Sequence, residues 1–306
     1  MKQSDWNAED WLDSMHRALS RRNYELTRTL RQQVWTSTVD FVQKGSYRAN
    51  GQTINMERNP DMQNETIFYS DEIKISADAP RYEQTTIVVK KEDTLNEAYR
   101  MVKNGMNPCV LNMASRSYPG GGVQTGAGAQ EENICRRSDY YQSIYQFHND
   151  GEKLGVSRNP QFSYPLDRNF GGIYSPNVTV FRGDEKSGYE LMTHPFKTAL
   201  VAVAAISHPE VVDERISPDL IEPTLNKIRT ILRIAYKNGH HNLVLSAFGC
   251  GAFCNPPQHM SELFKQTLEE DEFKNRFNEI VFAILSVGGS NEKISNYDCF
   301  KKTFEN

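Results

Sequence analysis

Two adjacent carboxylates, Glu131 and Glu132, close the segment Gly120-Gly121-Gly122-Val123-Gln124-Thr125-Gly126-Ala127-Gly128-Ala129-Gln130-Glu131-Glu132. Five of these thirteen residues are glycine and two more are alanine. A backbone so bare lets a ligand come very close to the main chain. The glutamates fall where a helical pattern begins, and the macrodipole alone stabilises acidic side chains there by about 0.3–1 kcal/mol each. Capping would account for their charge but not for the glycines before them. Together they point to a site for a polar small molecule, with an acid or base in it. Neighbouring helical residues diverge by about 100°, so the two carboxylates do not oppose each other across a glycosidic bond. One can bind sugar hydroxyls while the other transfers a proton.

A second small-residue loop, Ser246-Ala247-Phe248-Gly249-Cys250-Gly251-Ala252-Phe253-Cys254-Asn255-Pro256-Pro257, follows an apolar strand and leads into a helix. Asn255 stands where an N-cap belongs, with proline at the first helical positions. Backbone amides at such a junction suit a phosphate or diphosphate. The loop lacks the Gly-Lys-Ser/Thr of a P-loop and the full G-x-G-x-x-G. Phe253 could pack on a sugar or base face. The same features also suit a tight strand-to-helix connection.

Other candidates carry less. Cys250 and Cys254 have a metal-like spacing but no accompanying Cys/His pair, so no metal site is expected. The remaining cysteines, Cys109, Cys135 and Cys299, are scattered, which argues against a disulfide framework. His240-His241 read as a solvated loop pair, Arg136-Arg137 and Lys90-Lys91 as exposed faces, and Tyr140, Tyr141 and Tyr145 as packing residues. Net charge is −4, so no global basic field draws nucleic acid. No run approaches the roughly eighteen apolar residues of a membrane span, and the N-terminus shows no signal segment. The expectation is a cytoplasmic protein, or a nuclear one in a eukaryote.

The elements that must position these residues follow from periodicity. Residues 8–44 read as helical up to Gly45, with Trp11, Met15, Ala18, Leu19, Leu26, Leu30, Val34 and Val42 on the apolar side. Short strands are expected at Ile67–Tyr69 and Ile73–Ile75. Strand and helix then alternate: strands at Thr86–Val89, Cys109–Met113, Val178–Phe181, Thr198–Ile206, Asn242–Ser246 and Glu279–Ser286, and helices at Asp93–Lys103, Gln130–Tyr145, Asp219–Lys237 and Pro256–Glu270. Alternation of this kind means an α/β layered domain. Both glycine loops follow strands, where α/β folds bind ligands.

At these residues the chain resembles the poly(ADP-ribose) glycohydrolase family in its short bacterial-type form. The family signature is three glycines, six to eight residues, then Gln-Glu-Glu; here it is Gly120–Gly122, seven residues, and Gln130-Glu131-Glu132. Val110–Ser115, Ile173–Val178 and Ala247–Phe253 resemble further family blocks, and the likeness runs from about Leu26 to about residue 290. The resemblance implies a macrodomain-like α/β/α three-layer sandwich with a mixed central sheet. Residues 85–306 would form the catalytic domain and residues 1–84 an N-terminal helical and irregular extension packed on it. It implies Glu132 as catalytic acid/base and Glu131 as a ligand of ribose hydroxyls. Gly120, Gly121 and Gly122 would line the distal ribose and diphosphate, Gly249, Cys250, Gly251, Ala252 and Phe253 would hold the diphosphate, and Asn112, Ser115 and Gln130 would join the substrate site. No cofactor is implied. Poly(ADP-ribose) or ADP-ribosylated proteins would be the partners and ADP-ribose the product. A non-catalytic ADP-ribose reader and a hydrolase of mono-ADP-ribosyl linkages remain alternatives. Thr125 departs from the usually small or apolar linker and bears on substrate preference.

Overall fold

The computed structural model describes residues 4–56, 62–285 and 295–305. In chain order the helices and strands are α1 (Ala8–Ser20), α2 (Tyr24–Lys44), β1 (Ser46–Ala49), β2 (Gln52–Asn55), α3 (Met62–Glu65), β3 (Ile67–Tyr69), β4 (Thr86–Lys90), α4 (Thr94–Lys103), β5 (Pro108–Met113), α5 (Gln130–Arg137) and α6 (Tyr141–Ile144). There follow β6 (Gly172–Arg182), β7 (Leu191–Val203), β8 (Val211–Val212), β9 (Arg215–Ile216), α7 (Pro218–Lys237), β10 (Asn242–Leu245), α8 (Pro257–Glu269), β11 (Glu279–Ala283) and α9 (Asn296–Phe304). Seven strands make one mixed sheet in the order β3-β6-β7-β5-β10-β11-β4. The α/β class with a mixed central sheet therefore holds. No helix among the described residues is long and apolar enough to cross a membrane.

The chain divides into two compact units of interleaved segments. One comprises residues 67–116, 166–174 and 199–306. Here β5, β10, β11 and β4 run parallel, and β5 pairs in parallel with β7 through Cys109 opposite Ala199. β10 and β11 read as short apolar runs and are buried beyond their first residue, as strands covered on both faces are. The core gathers Leu111, Val201, Ile228, Ile231, Leu243, Phe264, Phe282 and Phe300. The chain leaves β5 toward the first glycine loop and β10 toward the second, and these strands are hydrogen-bonded neighbours.

The other unit comprises residues 1–66, 117–165 and 175–198. Helices α1 and α2 pack through Trp11, Met15, Ala18, Leu30 and Val34, with Tyr189 in the same cluster. Trp11 Nε1–H donates to Leu30 O at 3.0 Å, and its ring meets Tyr189 edge-on at 5.1 Å. The helical reading of residues 8–44 is broken at 21–23. Arg22 takes φ 51° and Asn23 caps α2 by accepting from Leu26 N–H at 3.0 Å. Leu19 and Leu26, read as buried, flank that break and are exposed.

Other readings also change. The helix expected over Gln130–Tyr145 stops at Arg137, because Ser138 turns extended and bridges Val180 of β6. Ile73–Ile75 forms no strand; both isoleucines pack on the apolar core while Ile75 N–H donates to Glu272. Ser286, the expected end of the last strand, lies outside the described residues. His240 is not solvated: buried, it bonds Tyr174 OH at 2.8 Å and Asn107 O at 3.2 Å, and burial lowers its pKa. Arg136 and Arg137 are not exposed either, but 0% and 2% accessible. Their guanidiniums reach Tyr189 OH and Ala127 O from Arg136, and Arg182 O from Arg137.

Asp139 ties the end of α5 to β6. Its N–H donates to Thr179 O at 3.2 Å, and its carboxylate accepts from Thr179 N–H at 2.8 Å. Burial raises this carboxyl from an ordinary 3.8 to about 7, partly opposed by the Thr179 N–H. A folded-state value above the unfolded one means that the folded chain holds the extra proton between about pH 4 and 7. The stability this proton confers is complete below that window and is lost as pH rises through it. Asp139→Asn, which keeps the acceptor without the charge, is expected to gain melting temperature over wild type as pH goes from 4 to 7, levelling above. Thermal melts across that range check this; a constant difference between the two proteins contradicts it.

Candidate active site

Helix α5 starts without a side-chain cap: Ala129 precedes it in extended conformation and its side chain offers no oxygen. Its first-turn carboxylates turn back to the glycine turn instead. Gly120 N–H donates to Glu131 Oε1 at 3.2 Å, and Gly122 N–H donates to Glu132 Oε1 at 2.8 Å. Gly120 and Gly121 hold φ of 70° and 55°, which costs little only for glycine. A Cβ on Gly121 would stand 2.5 Å from Glu132 Oε1 and 3.1 Å from Glu131 Oε2, so both carboxylates flank this one residue.

Both glutamates are buried, Glu131 at 3% and Glu132 at 7% exposure. Glu132 Oε2 has no hydrogen-bond partner among the described residues. Leaving a buried polar atom unsatisfied costs about 1–3 kcal/mol, and more for a charged group. Such an atom is therefore ready to bond a guest hydroxyl or a water molecule. Behind the turn, Cys135 Sγ and the Tyr145 ring stand 3.2 and 3.3 Å from where a Gly120 Cβ would lie. Burial first, then the charges of Glu131 and Glu132, hold the Cys135 thiol protonated. Burial and then Glu131 do the same to the Tyr164 phenol.

The far limb of the loop is bare for a reason that the sequence hides. A Cβ on Gly126 would stand 2.2 Å from the backbone oxygen of Arg28, and one on Gly128 would stand 2.3 Å from Arg31 Nη1. These two glycines make room for helix α2, not for a ligand. Arg136 Nη1–H donates to Ala127 O at 2.7 Å, and Gln32 Nε2–H donates to Gln124 O at 2.9 Å. Gln130, half-buried, opens α5 beside the two glutamates.

The second loop is described in its own unit. Asn255 does not cap α8; Pro256 holds that position. Its buried amide donates instead to Ile206 O, Gly249 O and Phe253 O at 2.8–3.2 Å and stitches the loop shut. Gly249 has φ 74° and no space for a Cβ beside Asn255 and Ala205. Gly251 differs: a Cβ there would meet nothing within 4 Å, and its φ needs no glycine. The N–H groups of Gly251, Ala252 and Phe253 donate no hydrogen bond among the described residues. Gly251 and Ala252 are exposed, while Cys250 and Phe253 are half-buried against the apolar core. Three successive backbone amides without an acceptor among the described residues suit an anion.

Asn112 is fully buried in β5, and Ser115 is half-exposed two residues beyond that strand. Among the described residues no three His, Cys, Asp or Glu gather as metal ligands would. Sequence reasoning missed Arg31 and misplaced Arg136. The signal for Arg31 is the helical spacing of Arg28, Arg31, Gln32 and Trp35 along one side of α2.

The profile of the microbial-type PARG catalytic domain matches residues 36–183, a span that contains the glycine turn and both glutamates. Poly(ADP-ribose) glycohydrolase from Thermomonospora curvata superposes with a TM-score of 0.73 at 28% identity, over 90% of this chain and 99% of that one. The same enzyme bound to the inhibitor ADP-HPD gives 0.70 and 29% over equal coverage. Poly(ADP-ribose) glycohydrolase from Deinococcus radiodurans in complex with ADP-ribose gives 0.62 at 26% identity, over 81% of this chain and 98% of that one. No curated protein matches this sequence.

The loop geometry ranks two substitutions. Gly121→Ala and Gly126→Ala both place alanine at positive φ, at about 1–3 kcal/mol each. At 121 the obstacle is a carboxylate that can swing away; at 126 it is helix backbone, which cannot. Urea unfolding is expected to show Gly126→Ala as the more destabilised variant, and the reverse order would contradict this geometry.

Proposed function

We infer that this chain, a microbial-type poly(ADP-ribose) glycohydrolase, cleaves ribose–ribose O-glycosidic bonds in poly(ADP-ribose) and releases ADP-ribose. The observation that carries the mechanism is Glu132 Oε2, buried in a glycine-walled turn with no partner among the described residues. One oxygen of this carboxyl is fixed by Gly122 N–H, which leaves the other to exchange a proton with substrate.

In the first half of the reaction, protonated Glu132 gives its proton to the ribose oxygen that departs as the glycosidic C–O bond breaks. The sugar left behind takes on oxocarbenium-like character. In the second half, the Glu132 carboxylate removes a proton from water as that water bonds the anomeric carbon, which restores the acid. Glu131, anchored on Gly120 N–H, holds the ribose hydroxyls. Gly120, Gly121 and Gly122 let the sugar approach the backbone, with Gln130, Asn112 and Ser115 completing the ribose end of the site. Gly249, Cys250, Gly251, Ala252 and Phe253 take the diphosphate. The open side of Gly251 supports that role, since the fold gives no other reason for glycine there. ADP-ribosylated proteins as carriers of the polymer, and action in the cytoplasm, belong to the same proposal.

Glu132→Gln keeps the shape and the Gly122 hydrogen bond but cannot cycle a proton. It is expected to lower release of ADP-ribose from the polymer by about 100- to 10,000-fold. Chromatographic assay of free ADP-ribose with both proteins tests this. Equal release by the two overturns the mechanism.

A further inference from the structure

One side of helix α2 lies along the limb that leads to the glutamates. Arg28 presents its backbone oxygen to Gly126, Arg31 its guanidinium to Gly128, and Gln32 its amide to Gln124 O. Trp35 stacks on Tyr145 at 6.3 Å, and Thr38 Oγ1–H donates to Arg136 O at 2.6 Å. The spacing is that of one helical face, so the contacts form a continuous seam.

Arg31 is the most constrained member. Its Nε–H and Nη2–H donate to the two oxygens of Glu185 at 3.0 and 2.8 Å, the bidentate geometry that fixes a guanidinium plane. Glu185 Oε2 also accepts from Tyr189 OH at 2.9 Å, and that hydroxyl accepts from Arg136 Nε–H at 2.9 Å. Arg136 in turn holds Ala127 O. Two guanidiniums anchored through one carboxylate thus brace the adjacent residues Ala127 and Gly128. Nη1 of Arg31 makes no hydrogen bond among the described residues and occupies the space that a Cβ on Gly128 would need, 2.3 Å from it. Burial pulls the Arg31 pKa down, but the Glu185 hydrogen bond and charge outweigh it. Glu132 is among the charges that raise it further, so the guanidinium also senses the catalytic carboxylate.

A limb containing Gly126 and Gly128 has many conformations to lose, and it carries α5 and Glu132 at its end. We propose that Arg31, contributed by the N-terminal helices, is a positioning residue for Glu132. Clamped by Glu185 and seated on Gly128, it fixes where the first turn of α5 begins and so where the catalytic carboxylate points. Arg31 is assigned no contact with substrate, so its loss acts on the chemical step and not on binding. The inference rests on the hydrolase reading above.

The test is steady-state hydrolysis of poly(ADP-ribose) by the full chain, with melting temperature recorded for each variant. Arg31→Ala is expected to lower kcat by about tenfold or more with KM within about twofold of wild type. Millimolar guanidinium, below denaturing levels, is expected to restore part of the lost rate to this variant and nothing to wild type. If Arg31→Ala fails to fold, Gly128→Ala reads the same contact. Its Cβ displaces the guanidinium while leaving every charge in place, and the same loss of kcat is expected. A folded Arg31→Ala or Gly128→Ala enzyme with wild-type kcat, or a loss confined to KM, overturns the inference. An inactive wild-type protein overturns the hydrolase reading instead, and this inference with it.

Discussion

A carbon atom attached to residue 121 would stand 2.5 Å from a carboxylate oxygen of Glu132. That exclusion organises the region around it. Because position 121 is bare, Glu131 and Glu132 can both fold back onto the amides of Gly120 and Gly122. Because they do, helix α5 needs no side-chain cap, and the acidic charge at its N-terminus is satisfied by the macrodipole and by those amides together. One oxygen of Glu132 remains buried and unbonded among the described residues, and the proposed proton transfer starts from that oxygen.

Holding so flexible a turn requires rigid neighbours, and α2 supplies them. Its own position depends on Arg182, which is fully buried and pushed down to about 9 by that burial, with Tyr189 and Tyr47 partly restoring it. Arg182 donates to Thr38 Oγ1, Ser37 Oγ and Tyr189 O, and its guanidinium lies over the rings of Trp6 and Phe41 at 4.8 and 5.1 Å. Hydroxyls, a carbonyl and aromatic faces do the work that a carboxylate would do elsewhere. A cation satisfied in this way has no single strong partner. It holds Trp6, helix α2 and the loop before β7 by distributed contacts.

The strands and the long helix α7 were legible in the sequence because apolar runs and helical periodicity are local signals. The glutamates were legible because five glycines before a helix start are rare without a reason. Gly126 and Gly128 were visible as bare, but their cause lies about a hundred residues earlier, in the backbone of Arg28 and the side chain of Arg31 on α2, and no local pattern carries that. Arg136 and Arg137 look like a solvated pair because charge predicts exposure. Only the tyrosine and carbonyl acceptors gathered by the fold make their burial affordable. The break after Arg137 is likewise non-local: Ser138 leaves the helix to pair with a strand forty residues on. His240 was misread for the same reason, its partners being Tyr174 and Asn107.

The clamp on the limb that leads to the glutamates joins residues far apart in the chain: Arg31 meets Glu185 across a separation of 154 residues. On a ribosome making about 5–20 residues per second, roughly 8–30 s pass between the appearance of the arginine and that of its partner. Both glutamates appear within that interval, 53 residues ahead of the acid that anchors their brace. The seam on α2 has no finished surface to close upon. Synthesis order therefore delays assembly of the glycine turn and its brace until residue 185 has been made.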